Sequence, residues 1–282
     1  MVERRAQSLE GRLDEIRLWS RVYGSLVGAS IRSQMDYRGS FALELVGRLC
    51  VTGLELVALL FLFSHIDSIG GWTKWEVIYL YGMASLCLGT GEALTTGFDE
   101  MPEMIRSGSF DYILVRPLPA LLLVLARQLR LRILGRALQG AFAVGLAASQ
   151  LAVSWGPLEW FFLAVSFVSG VTVYVGLFVA SAAQCFWTVE STEMFNAFTY
   201  GGEQMTEYPV SIYPGWLRSI FLYVVPVAFV SYVPALVVLD KADPIGLPTW
   251  ACWATPFVAL SFLRVCLLFW QWGIRRYEGA GG

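Results

Sequence analysis

Residues 158–184 read LEWFFLAVSFVSGVTVYVGLFVASAAQ, and the nature of the whole chain follows from them. The single charge, Glu159, stands at the very start. As a helix the stretch reaches about 40 Å, more than the ~30 Å hydrocarbon thickness of a bilayer. A helix on a soluble domain keeps one polar face. This one has none, so lipid is its solvent. Just upstream, Ser154-Trp155-Gly156-Pro157 leaves room only for a tight turn, and Ile133–Val153 before it is a second apolar run. Two such runs joined by four residues predict a helical hairpin through the membrane.

The composition agrees. Of 282 residues, 20 are Lys or Arg and 22 are Asp or Glu, so 15% are charged, where soluble domains carry about 25%. Hydrophobic residues make up 56%, and the mean hydropathy is +0.59. These values exclude a disordered chain and argue against a water-soluble globule. The net charge of −2 excludes a strongly basic nucleic-acid binder.

Working outward, Phe41–Phe63 predicts a first span and Glu76–Phe98 a second, separated by a Ser64–Trp75 loop with Gly70-Gly71. The second is rich in small residues that permit close helix packing. Asp99–Arg132 is polar apart from Leu118–Ala126, Phe186–Arg218 is mixed, and Ser219–Leu239 and Trp250–Trp272 are the last apolar runs. Tryptophans 72, 75, 155, 160, 250, 253, 270 and 272 sit near run ends, as an interfacial belt requires. Residues 1–40 stay polar, with seven arginines beside a Leu/Trp/Tyr stripe, so an amphipathic surface helix is expected there and a signal peptide is not. Arg106, Arg116, Arg127, Arg130, Arg132 and Arg136 cluster from Asp99 to the base of the third span, and Arg275 and Arg276 close the chain. The positive-inside rule places these segments and both termini in the cytoplasm. The five cysteines, all in or beside apolar runs, read as free thiols.

The familiar catalytic kits are missing. Both lysines, Lys74 and Lys241, lack the glycine that precedes a P-loop lysine. The single histidine is His65, at a span mouth, and no aspartate lies mid-span. An enzyme, a resident cofactor and a metal site are therefore not expected. What remains are charges in lipid, which mark functional positions. Glu44, Arg48 and Glu55 share one helix face, either as a buried ion pair or as the lining of a substrate path. Glu193, Asn196, Tyr200, Glu203 and Glu207 form a stripe about 80° wide. Two readings fit. In one, 187–212 is an amphipathic cytoplasmic helix and Ser219–Leu239 is the fifth span, as hydropathy favours. In the other, 187–212 crosses with its acids facing an aqueous cavity, and Ser219–Leu239 is a re-entrant hairpin broken at Pro226 and Pro234. Both give six crossings.

Residues 104–118, MIRSGSFDYILVRPL, resemble the IR-x-G-x-x-D-x-x-L-x-RPL segment of bacterial ATP-binding-cassette (ABC) exporter permeases of the type-2 superfamily. YPVSIYPGWLR at 208–218, VPVAF at 225–229, YVPA at 232–235 and WGIRRYE at 272–278 are similar to the same proteins. The resemblance implies an all-α membrane domain over residues 41–282 with six spans, an N-terminal elbow helix over 1–40 and a re-entrant outer region at 214–239. It thereby favours the second reading. It implies a coupling segment at 99–117, seated in a groove of a separate ABC ATPase that holds ATP and Mg. Glu100, Glu103 and Arg106 would supply its polar contacts, and Met101, Met104 and Ile105 an apolar face. Gly108, Asp111, Arg116 and Pro117 would complete its exit. It also implies a second permease subunit, identical or related. The expected role is the permease subunit of an exporter in the bacterial plasma membrane, with a cationic or amphipathic cargo. The alternative is a proton-coupled secondary transporter relaying through the Glu residues.

Overall fold

The computed structural model describes residues 28, 38–127, 130, 133–188 and 192–277. The elbow helix expected over 1–40 lies almost wholly outside these residues, as do the side chains of Glu44, Arg48 and Glu193.

Helix α1 (Arg38–Leu62) covers the first expected span. The loop after it carries a two-residue antiparallel ladder, β1 (Ser68–Ile69) and β2 (Trp72–Thr73), with Ser68 opposite Thr73. Gly70 and Gly71 turn between them at φ +58° and +81°, a conformation that side chains resist. Helix α2 (Lys74–Thr95) then runs back, and a 3-10 turn (Thr96–Glu100) leads into α3 (Met101–Arg106), α4 (Asp111–Leu114) and α5 (Ala120–Leu125). Helices α6 (Leu134–Gln150) and α7 (Pro157–Gln184) flank the expected tight turn, but each packs on α2 rather than on the other as a hairpin would. Glu159, the lone charge of α7, accepts the Gly156 backbone N–H at 2.9 Å, and Pro157 opens the helix where no N–H is needed. Helix α8 (Thr192–Thr206) returns toward the opposite end.

Beyond α8 the chain folds over that end as α9 (Gly215–Ser219), a wide turn (Ile220–Val224), a 3-10 turn (Val227–Phe229) and α10 (Tyr232–Val238). The two arms, Gly215–Val224 and Val227–Val238, bend by 75°. The 219–239 run is therefore no straight crossing, although hydropathy alone favours one. Pro226 makes the bend: it has no N–H to donate and holds Val225 extended. The expected second break at Pro234 does not occur. Pro234 sits in the first turn of α10, where backbone N–H groups have no helical partner to lose. Helix α11 (Thr255–Arg276) runs to the end that carries residues 96–127.

Three helical runs among the described residues are long and apolar enough to cross a membrane alone: Lys74–Arg106, Pro157–Gln184 and Thr255–Arg276. The molecule is an all-α membrane protein, and its packing shows the solvent it expects. Leu43, Leu54, Phe61, Phe142, Phe161, Phe257 and Leu260 are exposed on helix flanks, a surface costly in water and neutral against acyl chains. Inside, α2 is the central helix, packed on α6 and α7, while α7 also carries α11. Glycines let α2 and α6 approach. A Cβ on Gly82 would lie 2.7 Å from the Val144 backbone nitrogen, and one on Gly89 2.6 Å from that of Ala137.

At the end covered by α9 and α10, Lys241 closes the fold. Its Nζ donates to Glu76 Oε2 at 2.7 Å and lies 4.9 Å from the Trp72 ring centre. The same Glu76 oxygen accepts the Thr73 backbone N–H at 2.7 Å, so one carboxylate caps α2 and holds the 239–248 loop. Tyr232 donates to Asp243 Oδ1 at 2.7 Å in the same loop. Replacing Lys241 by methionine is expected to cost about 1.5–3 kcal/mol, the range for hydrogen bonds to charged groups. The check is the thermal unfolding midpoint of the detergent-purified protein, and an unchanged midpoint would show that the clasp contributes nothing.

Candidate functional site

A chamber of about 950 Å3 opens among α1, α2, α6 and α8. Helix α1 contributes Glu55, Ala58, Leu59, Phe61 and Leu62, and His65 stands just past its end. Helices α2 and α6 contribute Tyr81 and Arg136. Helix α8 contributes Gly201, Glu203, Gln204 and Met205, and the chain beyond it Glu207, Tyr208 and Tyr213. The chamber thus gathers three of the carboxylates expected on a substrate path, Glu55, Glu203 and Glu207, onto facing walls.

Arg136 binds Glu203 at 3.0 Å, Nη2 to Oε2. The Glu203 side chain is 2% exposed and that of Arg136 19%. Glu55, Glu92 and Glu207 also lie within the electrostatic reach of the guanidinium. The pair is incompletely satisfied: Glu203 Oε1 and Arg136 Nε are buried with no hydrogen-bond partner among the described residues. Next to it a neutral network locks three helices. Tyr81 donates to the Thr52 carbonyl at 3.1 Å, Gln139 Nε2 donates to Tyr81 Oη at 3.0 Å, and the side chains of Thr52 and Gln139 meet. Such bonds tie helices together where water does not compete.

The structure redistributes the acidic stripe of α8. Glu203 and Glu207 line the chamber. Asn196 and Tyr200 do not, and Tyr200 is exposed. Arg136, counted at the base of the third span with the cytoplasmic cations, turns out to be a half-buried partner of Glu203 within the bundle. Its sequence signal was its position, three residues inside the apolar run that starts at Ile133.

The second candidate region is the 96–127 segment. Glu100 pairs with Arg127 at 2.6 Å, and Asp99 with Arg130 at 3.4 Å. Met101 and Met104, expected as an outward apolar face, point inward instead. They pack with Phe98, Phe110, Val124 and Trp270 in the chain's own second core, because α3 must bury one face against the bundle to hold its position. Arg127 also donates to Met104 Sδ at 3.4 Å. The surface left outward is Glu103, Arg106, Tyr112, Leu114, Val115, Arg116 and Pro117, with Ile105 and Asp111 half-buried. Glu103 and Arg106 lie 3.7 Å apart on it. Gly108 ends α3 at φ +68°, the left-handed turn that favours glycine, and Phe110 N–H returns to the Met104 carbonyl at 3.2 Å. Tyr277 packs edge-on against Phe110 with ring centres 5.3 Å apart. Burial, followed by nearby Asp111, pushes its phenol upward and keeps it neutral.

Among the described residues, no group of three or more His, Cys, Asp and Glu side chains is placed to hold a metal ion. A family model described as "ABC-2 family transporter protein" matches residues 49–281. No curated protein and no solved structure matches the chain.

Proposed function

The chain belongs to the ABC-2 transporter protein family, and from that premise we propose that it is the permease subunit of an ATP-driven exporter whose ATPase is a separate chain. ATP and Mg would be held by that partner, at the surface formed by residues 99–117. The chamber between α1, α2, α6 and α8 is the substrate path. Helices α1, α2, α6, α7, α8 and α11 are the six crossings, with α9 and α10 as the re-entrant outer region. The Lys/Arg enrichment of the 99–132 segment and the tail supports a cytoplasmic position for them and for both termini, in a bacterial plasma membrane. A second permease subunit, identical or related, completes the path.

The observation that carries this reading is a continuous mechanical link. Lys74–Arg106 forms one helical run of 33 residues. Its tip exposes Arg106, and its body carries Tyr81 in the chamber wall. Ion pairs to Arg127 and Arg130, with the inward methionines, fix the tip to the bundle. A push on Arg106 therefore moves the wall as a rigid body.

Arg106→Glu is expected to lower ATPase stimulation in the reconstituted complex by about tenfold or more, since reversing a charge at a complementary surface costs several kcal/mol. The protein should still reach the membrane and keep its chromatographic profile, because Arg106 makes no contact with either core. Normal stimulation would remove the segment from the ATPase interface. Co-purification of a nucleotide-binding chain tests the reading as a whole. Transport driven by a proton gradient with no nucleotide would replace it with the secondary-transporter alternative.

A further inference from the structure

We infer that the chamber recognises a lipophilic organic cation, with Glu55 and Glu207 as its counter-charges and the Arg136–Glu203 pair as the fixed floor between them. This rests on the permease reading and adds the chemical class of the cargo.

The charge balance comes first. Among the described residues, three carboxylates line the chamber against one guanidinium, and that guanidinium is already engaged 3.0 Å from Glu203. Glu55, which is exposed, and Glu207, which is half-buried, are left with a formal excess of two negative charges among the described residues. Such an excess gives the chamber a negative potential that favours an entering cation. A polyanion meets the opposite balance.

The second observation is Glu203 itself. The residue is 1% exposed, and its Oε1 has no hydrogen-bond partner among the described residues although the side chain lines the chamber. A buried acceptor left without a donor points to a positive or proton-bearing group that is missing from the protein alone.

The third is the rest of the wall. Leu59 and Leu62 offer an apolar surface, and Tyr81, Tyr208 and Tyr213 add aromatic side chains suited to a delocalised cation. The volume suits one drug-sized molecule. A compact, strongly hydrated ion would use none of this, and no metal-binding group of side chains is present among the described residues.

The test uses the full-length chain in nanodiscs without any ATPase, with tetraphenylphosphonium as the probe and tetraphenylborate as its counterpart of equal shape and opposite charge. Protein-free nanodiscs are subtracted for lipid partitioning. Saturable binding of the cation is expected, with the anion weaker by at least about tenfold. Glu55→Gln and Glu207→Gln should each weaken the cation by about tenfold, the worth of one hydrogen-bonded or charge contact. Asn196→Ala, outside the chamber, should change nothing. Equal binding of the two ions, no saturable binding, or unchanged affinity in both Gln variants would overturn the inference. The comparison of the two ions on the unaltered protein stands even if a variant fails to fold. Because no nucleotide is involved, a negative result here leaves the ATPase partnership intact, and failure to recover an ATPase leaves the binding result intact.

Discussion

Arg136→Met should destabilise the protein by about 3–5 kcal/mol, because it leaves the buried Glu203 carboxylate without its partner. The double replacement Arg136→Met with Glu203→Leu should recover most of that loss. Two charges are then removed together, and an apolar pair of similar volume takes their place. Thermal unfolding in nanodiscs reads the difference: a drop on the order of 10 °C for the single variant and little change for the double. Equal losses in both would mean that the two residues act separately and that the 3.0 Å contact carries no coupling. The double variant has a second use. A stable but inactive protein would show that the pair is kept for transport rather than for folding. That outcome fits a pair whose Oε1 and Nε have no hydrogen-bond partner among the described residues, since one kept for stability alone would have every polar atom bonded.

The same pair marks what the sequence could and could not disclose. Apolar runs located α1, α2, α6, α7 and α11 to within a few residues, because an apolar run of that length satisfies its backbone hydrogen bonds as one continuous helix. The helical wheel put Glu203 and Glu207 on one face, and the structure puts both in the chamber. Their counterpart was hidden. Arg136 stands near Arg127, Arg130 and Arg132 in the chain, and proximity along the chain counts it with them. Only the packing of α6 on α2 turns it inward. Met101 and Met104 misled for a related reason. Helical spacing shows that they share a face with each other, but whether that face meets a partner or the chain's own Phe110 and Trp270 is settled by tertiary contacts. Pro226 and Pro234 looked equivalent as breakers. Their effects differ because one follows an extended residue and the other falls in a first helical turn.

Gly140→Leu is expected to be among the most damaging single changes that touch no charge. A Cβ at residue 140 would run into the Leu86 backbone nitrogen and sit 2.7 Å from the Gly82 carbonyl oxygen. Both are main-chain atoms that have no rotamer to yield, so α2 and α6 must separate. Overpacking of this kind typically costs about 1–3 kcal/mol, and more where backbone is the obstacle. Gly145→Leu is the matched control. It lies on the same helix, and a Cβ there meets nothing within 4 Å, so the extra side chain goes into open space. The expected result is a normal, monodisperse gel-filtration profile for Gly145→Leu and aggregated or poorly accumulating protein for Gly140→Leu. Identical behaviour would mean that α2 and α6 do not pack at glycine distance. The consequence reaches the chamber, because the bonds that place its wall span the same contact. Gln139, the residue before Gly140, donates to Tyr81 on α2 at 3.0 Å, and Arg136 lies one turn earlier on the same helix. Separating the helices by even one methyl group would break the first bond and draw Arg136 away from Glu203. A milder Gly140→Ala variant that still folds should therefore weaken cation binding before it lowers the unfolding midpoint, since hydrogen bonds fail over smaller displacements than apolar contacts do.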